Sequence, residues 1–405
     1  SKTGNNSDGS SWENAFNTIT SATLSVSGDD LFEIWVAEGI YQEGREITVG
    51  ERVSLYGGFV GNETELSQRD IENHESIIDG ESKHRCFVNY NILNGFSITS
   101  GYNDNRGGGV RNYGGVISHC IVYNCKSDSR GGGIYDENGK VEKCKIFDNE
   151  SSFGGGVYTQ NGLITKSFLY NNHANAAGGI ANNRGLVRNC IIYKNNVNEE
   201  GGGIGNYGTV INCTVFNNSS GSREGGGAFN KEDIINCIIW NNIGGDIFNE
   251  TFYLRNPFVK YSCFSEADGL YHNISSDPMF VNVSGDPSTW DFHLQNGSRC
   301  IDNGTTEGSP DTDFEGNPRP GSDGEVCMGA YESPEEYLPP PPPETKRLYV
   351  SKNGDNSDGL SWETAFHNIK SSVAVTTSVL NYDIWVSGGR YIEGSEVAIP
   401  VNVSL

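Results

Sequence analysis

Between Gly107 and Asn242 the chain repeats one short pattern six times, with a period of about 23–24 residues, and few folds accommodate a period of that length. Each copy opens on a glycine cluster and a small or aliphatic residue: Gly107-Gly108-Gly109-Val110, Gly131-Gly132-Gly133-Ile134, Gly154-Gly155-Gly156-Val157, Gly178-Gly179-Ile180, Gly201-Gly202-Gly203-Ile204 and Gly225-Gly226-Gly227-Ala228. After a turn comes a column reading Cys120, Cys144, Ser167, Cys190, Cys213, Cys237. Two residues beyond each stands an aliphatic (Val122, Ile146, Leu169, Ile192, Val215, Ile239), followed always by a ring: Tyr123, Phe147, Tyr170, Tyr193, Phe216, Trp240. Two positions further on come Cys125, Asn149, Asn172, Asn195, Asn218 and Asn242.

Short apolar runs with period-two alternation, and no ten-residue helical pattern, exclude a helix-pair solenoid. The expectation is an all-β fold, a parallel β-helix in which equivalent residues of successive coils stack about 4.8 Å apart. Cysteine and aliphatic columns share a parity and point inward. Asparagines at the bends stack as an amide ladder, each satisfying the next.

A solenoid absorbs 405 residues in one body, and 53 glycines with a mean hydropathy of −0.49 suit one with polar turns. A net charge of −24 argues against nucleic acid or anionic lipid as partner and is compatible with an extracellular, secreted or surface location. No apolar run reaches the roughly 18 residues of a membrane span, and no signal-peptide pattern is present. Without an initiating methionine, the chain reads as a mature or excised segment.

Five of the ten cysteines, Cys120, Cys144, Cys190, Cys213 and Cys237, fall in one column. Parallel Cβ atoms about 4.8 Å apart exceed the usual disulfide spacing of about 3.8 Å, so these read as buried thiols. Cys300 and Cys327 lie outside the column, and a disulfide between them stays open as an alternative. No CxxC pair supports zinc.

Ser1–Leu55 returns as Ser351–Leu405 at a constant offset of 350: Ser11-Trp12-Glu13 as Ser361-Trp362-Glu363, Ile34-Trp35-Val36 as Ile384-Trp385-Val386. This reads as a tandem module duplication, with Ser1 lacking the Leu348-Tyr349-Val350 stretch that precedes its twin. The expected organisation is a cap segment over 1–30, with one helix from Trp12 to Leu24 N-capped by Ser11, then the β-helix over 31–290 and a closing segment over 291–332. A Pro-rich linker over 333–347 (Pro339 to Pro343) follows, and then a partial second module over 348–405.

The stretches "SDGSSWENAF", "IWVAEGIY" and "VSLYGGFVGNETELSQRD" resemble bacterial right-handed β-helix surface proteins of the pectate-lyase-like superfamily. "DPMFVN", "DFHLQNGSRCIDNG" and "TDFEGNPRPGSDGEVCMGAYE" resemble their choice-of-anchor Q region, and the central coils are more loosely similar to polymorphic outer-membrane protein repeats. The resemblance implies a right-handed parallel β-helix with a small N-terminal helical cap. It also implies secreted or surface-attached proteins that are adhesive or structural as often as catalytic.

A polysaccharide lyase would need acidic calcium ligands and a basic residue on one outer face. The candidate is the column before the cysteines, His119, Lys143, Lys166, Asn189, Asn212 and Asn236, otherwise read as a solvated face. Asp136 and Glu137, being adjacent, face opposite ways and make no hydrolase pair. Asp311, Asp313, Glu315 and Asp323 are candidates for a structural calcium, although turn chemistry explains them too; no other cofactor is expected. Asn62, Asn149, Asn212 and Asn273 head glycosylation sequons. The ring column Tyr123 to Trp240 leaves two readings: a neighbouring bend turns the rings inward, or they form an exposed stripe for sugar rings or another subunit. The functional expectation is a noncatalytic extracellular structural or adhesive protein of tandem modules, self-associating end to end. The alternative is a polysaccharide lyase or glycan-binding module.

Overall fold

The computed structural model describes residues 1–222, 224–250, 259–334, 345–376, 381–388, 390–391, 393, 396–399 and 403–404. The proline run of the expected linker lies outside them. Two compact units result, Ser1–Tyr337 and Leu338–Leu405.

The first unit is the right-handed parallel β-helix that the repeat implies. One wall carries two strands per coil, for example Val110–Tyr113 with Val116–Ser118 and, one coil on, Ile134–Glu137 with Lys140–Glu142. The second wall stacks Ile121–Tyr123, Lys145–Phe147, Phe168–Tyr170, Ile191–Tyr193, Thr214–Phe216 and Ile238–Trp240 in parallel. A third stacks short strands such as Lys126–Ser127, Glu150–Phe153 and His173–Ala176. Val122, Ile146, Leu169, Ile192, Val215 and Ile239 are in register and fully buried, as are the column cysteines, all of them free thiols.

The corners explain the columns. His119, Lys143, Lys166, Asn189, Asn212 and Asn236 all adopt φ near 50°, and so do Asn124, Asp148, Asn171, Lys194, Asn217 and Asn241 at the next bend. A left-handed residue turns the chain within one position, at a cost of roughly 1–2 kcal/mol where the residue is not glycine. The residue after each bend is thereby thrown inward, the cysteines at the first and the asparagines at the second. Asn149 Nδ2 donates to Asn172 Oδ1 at 3.0 Å, Asn172 to Asn195 at 2.9 Å, Asn195 to Asn218 at 3.0 Å and Asn218 to Asn242 at 3.0 Å. Each oxygen also accepts the backbone amide one coil back, as Asn195 Oδ1 does from Asn172 N at 3.0 Å. The ladder therefore offsets the strain of the bends it stands beside.

A second buried ladder runs along the first wall. Asn89 donates to Asn112 at 2.7 Å, Asn112 to Asp136 Oδ1 at 2.7 Å, and Thr159 Oγ1 back to Asp136 Oδ2 at 2.9 Å; Asn182, Asn206, Asn230 and Asn249 continue it at 2.8–2.9 Å. Its signal, a polar residue two places after each opening small or aliphatic residue (Asn112, Asp136, Thr159, Asn182, Asn206, Asn230), is present in the sequence. Asp136 is buried and Glu137 lies on the other face.

The N-terminal helix is shorter than expected. It spans Ile19–Ser25, and Thr18, not Ser11, is its N-cap, accepting from Ser21 N at 3.1 Å. The carbonyls of Glu13 and Ala15 are taken by the Asn5 and Asn6 amides, and Trp12 is drawn away to pack against the stacked Trp35–Phe59 pair while its indole donates to Glu63 O. The Glu43 carboxylate covers the free Ile19 and Thr20 amides at 2.8 and 3.0 Å.

At the other end, Phe280–Asn282 and Asp291–Leu294 form an antiparallel hairpin, so the boundary expected at 290/291 falls inside one structural element. Cys300 and Cys327 are separate buried thiols rather than a disulfide: Cys300 neighbours Cys263, and Cys327 Sγ faces Asp302 Oδ1 at 3.8 Å.

Candidate functional site

The corner column is not a solvated face, because the closing segment folds back and grips four of its six members. Lys166 Nζ donates to Thr312 Oγ1 at 2.9 Å, and Asn189 Nδ2 to Thr312 O at 2.6 Å. Asn212 Nδ2 donates to Cys327 O at 3.1 Å, and Asn236 Nδ2 to Thr305 O at 2.7 Å. Burial, with the Lys143 and Arg69 charges alongside, pushes the His119 imidazole below its ordinary value. Of the three basic residues in that column, Lys166 is engaged and His119 is biased toward neutrality.

Of the two readings left open for the ring column, the one in which a neighbouring bend turns the rings inward fails: the bend comes one residue later and the column points outward from the wall. Nor is it an open stripe. Phe280, Trp290 and Phe292 pack over Tyr193 and Phe216 at centroid distances of 5.5–5.7 Å. Toward the N-terminal end, Tyr123, Phe147 and Tyr170 stack face to face at 5.3 and 4.8 Å. Rings stacked on each other hide their faces and offer only edges, the wrong geometry for a sugar to lie on.

The calcium candidates Asp311, Asp313, Glu315 and Asp323 do not converge. Buried Asp313 has both oxygens filled, Oδ1 by the Gly316 and Asn317 amides at 2.8 Å and Oδ2 by Glu332 N at 2.9 Å. Asp323 Oδ1 accepts the Glu325 amide at 3.0 Å, Glu315 faces His293 at 3.4 Å, and Asp311 gives its backbone carbonyl to Arg319 N at 2.9 Å. Among the described residues one trio brings ligand atoms within 4.8 Å, Asp302, Cys327 and Glu332. There Glu332 Oε2 already holds Arg319 Nε at 2.5 Å, and burial pushes the Cys327 thiol up, so both charge and protonation oppose a cation. Of the sequon asparagines named above, Asn62 is exposed, and Asn149, Asn212 and Asn273 are buried in the folded chain.

A cavity on the solenoid wall comes from a column that periodicity alone did not single out. On the outside of the first wall Arg111, Tyr135, Tyr158, Ala181, Gly205, Phe229 and Phe248 stand in register. Tyr135 stacks on Tyr158 at 5.3 Å and Phe229 on Phe248 at 5.6 Å. Between the two pairs, Ala181 and Gly205 leave out two rings and open a cleft of about 230 Å³. Its end walls are the rings of Tyr158 and Phe229, three coil steps or ~14 Å apart; both residues are buried, with the Lys231 ammonium 5.2 Å from the Phe229 centroid.

A Cβ on Gly205 would sit 2.9 Å from Ala177 Cβ, so the floor position demands glycine. Phe153 and Tyr207, 48% and 41% exposed, form the rim. Polar groups are few: the Arg130 guanidinium 5.0 Å from the Tyr158 centroid, the Asn183 amide donating to Tyr158 Oη at 3.2 Å, and Glu200, whose carboxyl is pushed up by burial and then by Glu224. An apolar slot with a few convergent polar groups is the general form of a small-ligand pocket.

No family model matches the sequence, and no curated protein matches it. Among solved structures, pectate lyase Pel9A superimposes with a TM-score of 0.49 at 15% identity, covering 82% of this chain and 94% of that one. Among the described residues no helix is long and apolar enough to cross a membrane.

Proposed function

We propose that this chain is a noncatalytic, extracellular β-helix protein with a structural and adhesive role, built from tandem modules that join end to end, and that it holds glycan in the cleft between Tyr158 and Phe229. The observation carrying this reading is the cleft: an Ala181–Gly205 floor between the rings of Tyr158 and Phe229, the exposed rim rings Phe153 and Tyr207, a guanidinium and a partly buried carboxyl suit the apolar faces and hydroxyls of a pyranose. The noncatalytic part rests on where the reactive groups are: Asp136 inside a ladder, Lys166 and Asn189 under the closing segment, Asp313 in a turn.

The test is to incubate the protein with a panel of soluble neutral and acidic polysaccharides, following retention and chain length together. Retention with unchanged chain length supports binding without cleavage. Unsaturated sugar ends would establish a lyase instead. Electron microscopy of native material tests the end-to-end part, a filament with an axial repeat near one module being the expected image.

A further inference from the structure

The second unit shows how a module begins. Thr345–Val350 runs parallel to Asn381–Val386, with Leu348 opposite Ile384 and Val350 opposite Val386, and Tyr382–Asp383 continues to Val403–Ser404. Leu348 and Val350 are buried against Phe366, Tyr382 and Ile384. The backbone locks the strand in place: Tyr349 N donates to Gly359 O at 2.7 Å, Phe366 N to Tyr349 O at 2.9 Å, and Ser387 N to Val350 O at 2.9 Å.

The first unit repeats this arrangement 350 residues earlier with one strand fewer. Phe32–Ala37 pairs with Val53–Phe59 in the register of its twin, Phe32 opposite Val53 and Glu33 opposite Ser54. Along its other edge it has no strand partner among the described residues. Beside that edge lies an open slot of about 1060 Å³, lined by Trp12, Phe16, Ile19, Phe32, Ile34 and Val36, the counterparts of Phe366, Tyr382 and Ile384 among them. An unpaired edge over an apolar floor is the template for an added strand.

The twin's geometry is kept at the end of the slot as well. Ser1 N donates to Phe16 O at 3.0 Å, where Ser351 N donates to Phe366 O at 2.9 Å. The Ser1 nitrogen thus stands where a peptide nitrogen stands in the twin. A strand laid into the slot in the twin's register ends one bond from it.

We propose that this slot is built to seat a parallel β-strand of the Thr345–Val350 type, in the register that strand keeps in the twin. In a tandem array the stretch that ends each Pro-rich linker is then the first strand of the solenoid it leads into. This rests on the tandem-module reading above, but not on glycan binding or filament formation. It turns the linker's end from a tether into part of the next module's core, with alternate apolar residues, Leu-x-Val, as the recognition element.

Three proteins test it: the chain itself, the chain carrying Thr-Lys-Arg-Leu-Tyr-Val ahead of Ser1, and the chain carrying Thr-Lys-Arg-Asp-Tyr-Asp there. The first extension is expected to raise Tm by ~5 °C and to slow hydrogen exchange of the Phe32–Ala37 amides at least tenfold; the second is expected to do neither. Equal behaviour of the two extensions overturns the proposal. So does a mass doubling of the unextended chain that the free hexapeptide reverses, because it would assign the slot to a strand from a second molecule. Loss of glycan retention or of filaments, with the strand still docking, would overturn the proposed function and leave this inference standing.

Discussion

Arg319 Nη1 donates to Asn189 Oδ1 at 2.9 Å, joining a residue of the closing segment to a corner of the solenoid across 130 positions of sequence. The same buried guanidinium holds Glu332 through Nε and Gly329 O through Nη2 at 3.3 Å. One side chain thereby helps tie the fold-back to the wall it covers.

Arg319→Ala should therefore cost about 3–5 kcal/mol, because it leaves the Glu332 carboxylate buried without its partner. Arg319→Ala/Glu332→Gln should recover part of the loss by removing the orphaned charge. Denaturant midpoints measure both, and increased binding of a hydrophobic dye at sub-denaturing urea should accompany the single variant as the closing segment lifts off the rings.

Asp136 makes stability depend on pH. Burial pushes its carboxyl from 3.8 up to about 6, while hydrogen bonds from Asn112 and Thr159 pull the other way. A raised carboxyl favours the protonated folded state, so its penalty is absent below pH ~3.8, grows through the interval to ~6 and is complete above it. Asp136→Asn, which matches Asn112 and Asn182 in the same ladder, should stabilise the protein by on the order of 2 kcal/mol at pH 7 and flatten this part of the profile. Urea melts from pH 4 to 8 decide it; an unchanged slope would mean that the ladder holds the carboxylate without penalty.

Asn195 occupies the middle of the amide ladder, and Asn195→Ala strips acceptors and donors from two neighbouring coils at once. A loss of about 2–4 kcal/mol is expected from buried groups left unpaired. The exposed Asn198, bonded to Asn175 at 3.0 Å, should cost under ~0.5 kcal/mol when truncated, and the pair of melts compared side by side is the measurement.

The cleft is made by missing rings, so replacing one should close it. Ala181→Tyr continues the stack above Tyr158 and is expected to abolish glycan retention while changing stability by less than ~1 kcal/mol. Binding isotherms and thermal melts on the same preparation separate the two effects. Full retention by a well-folded Ala181→Tyr protein places the glycan elsewhere.

Much of the solenoid could be read from residue order, because each column is a contact between coils one period apart and a period is visible in one dimension. The inward cysteines, the Asn149-to-Asn242 ladder and the glycine-led turns all follow from that spacing. The same logic contained the second ladder through Asn112, Asp136 and Asn182. The helix boundary at Thr18 did not follow, since Trp12 and Ala15 spend their bonding on loops that local propensity does not see.

What the chain's order determined by itself is the period, and with it which side chains meet their own counterparts in the next coil. What the tertiary structure decided is everything that breaks the period. The closing segment covers Tyr193 and Phe216, the corner residues become its anchors, and Ala181 and Gly205 leave an opening between rings. The physical reason is range: a stacked neighbour is always one coil away, whereas Arg319 finds Asn189 only after the solenoid has built the surface on which the fold-back lies.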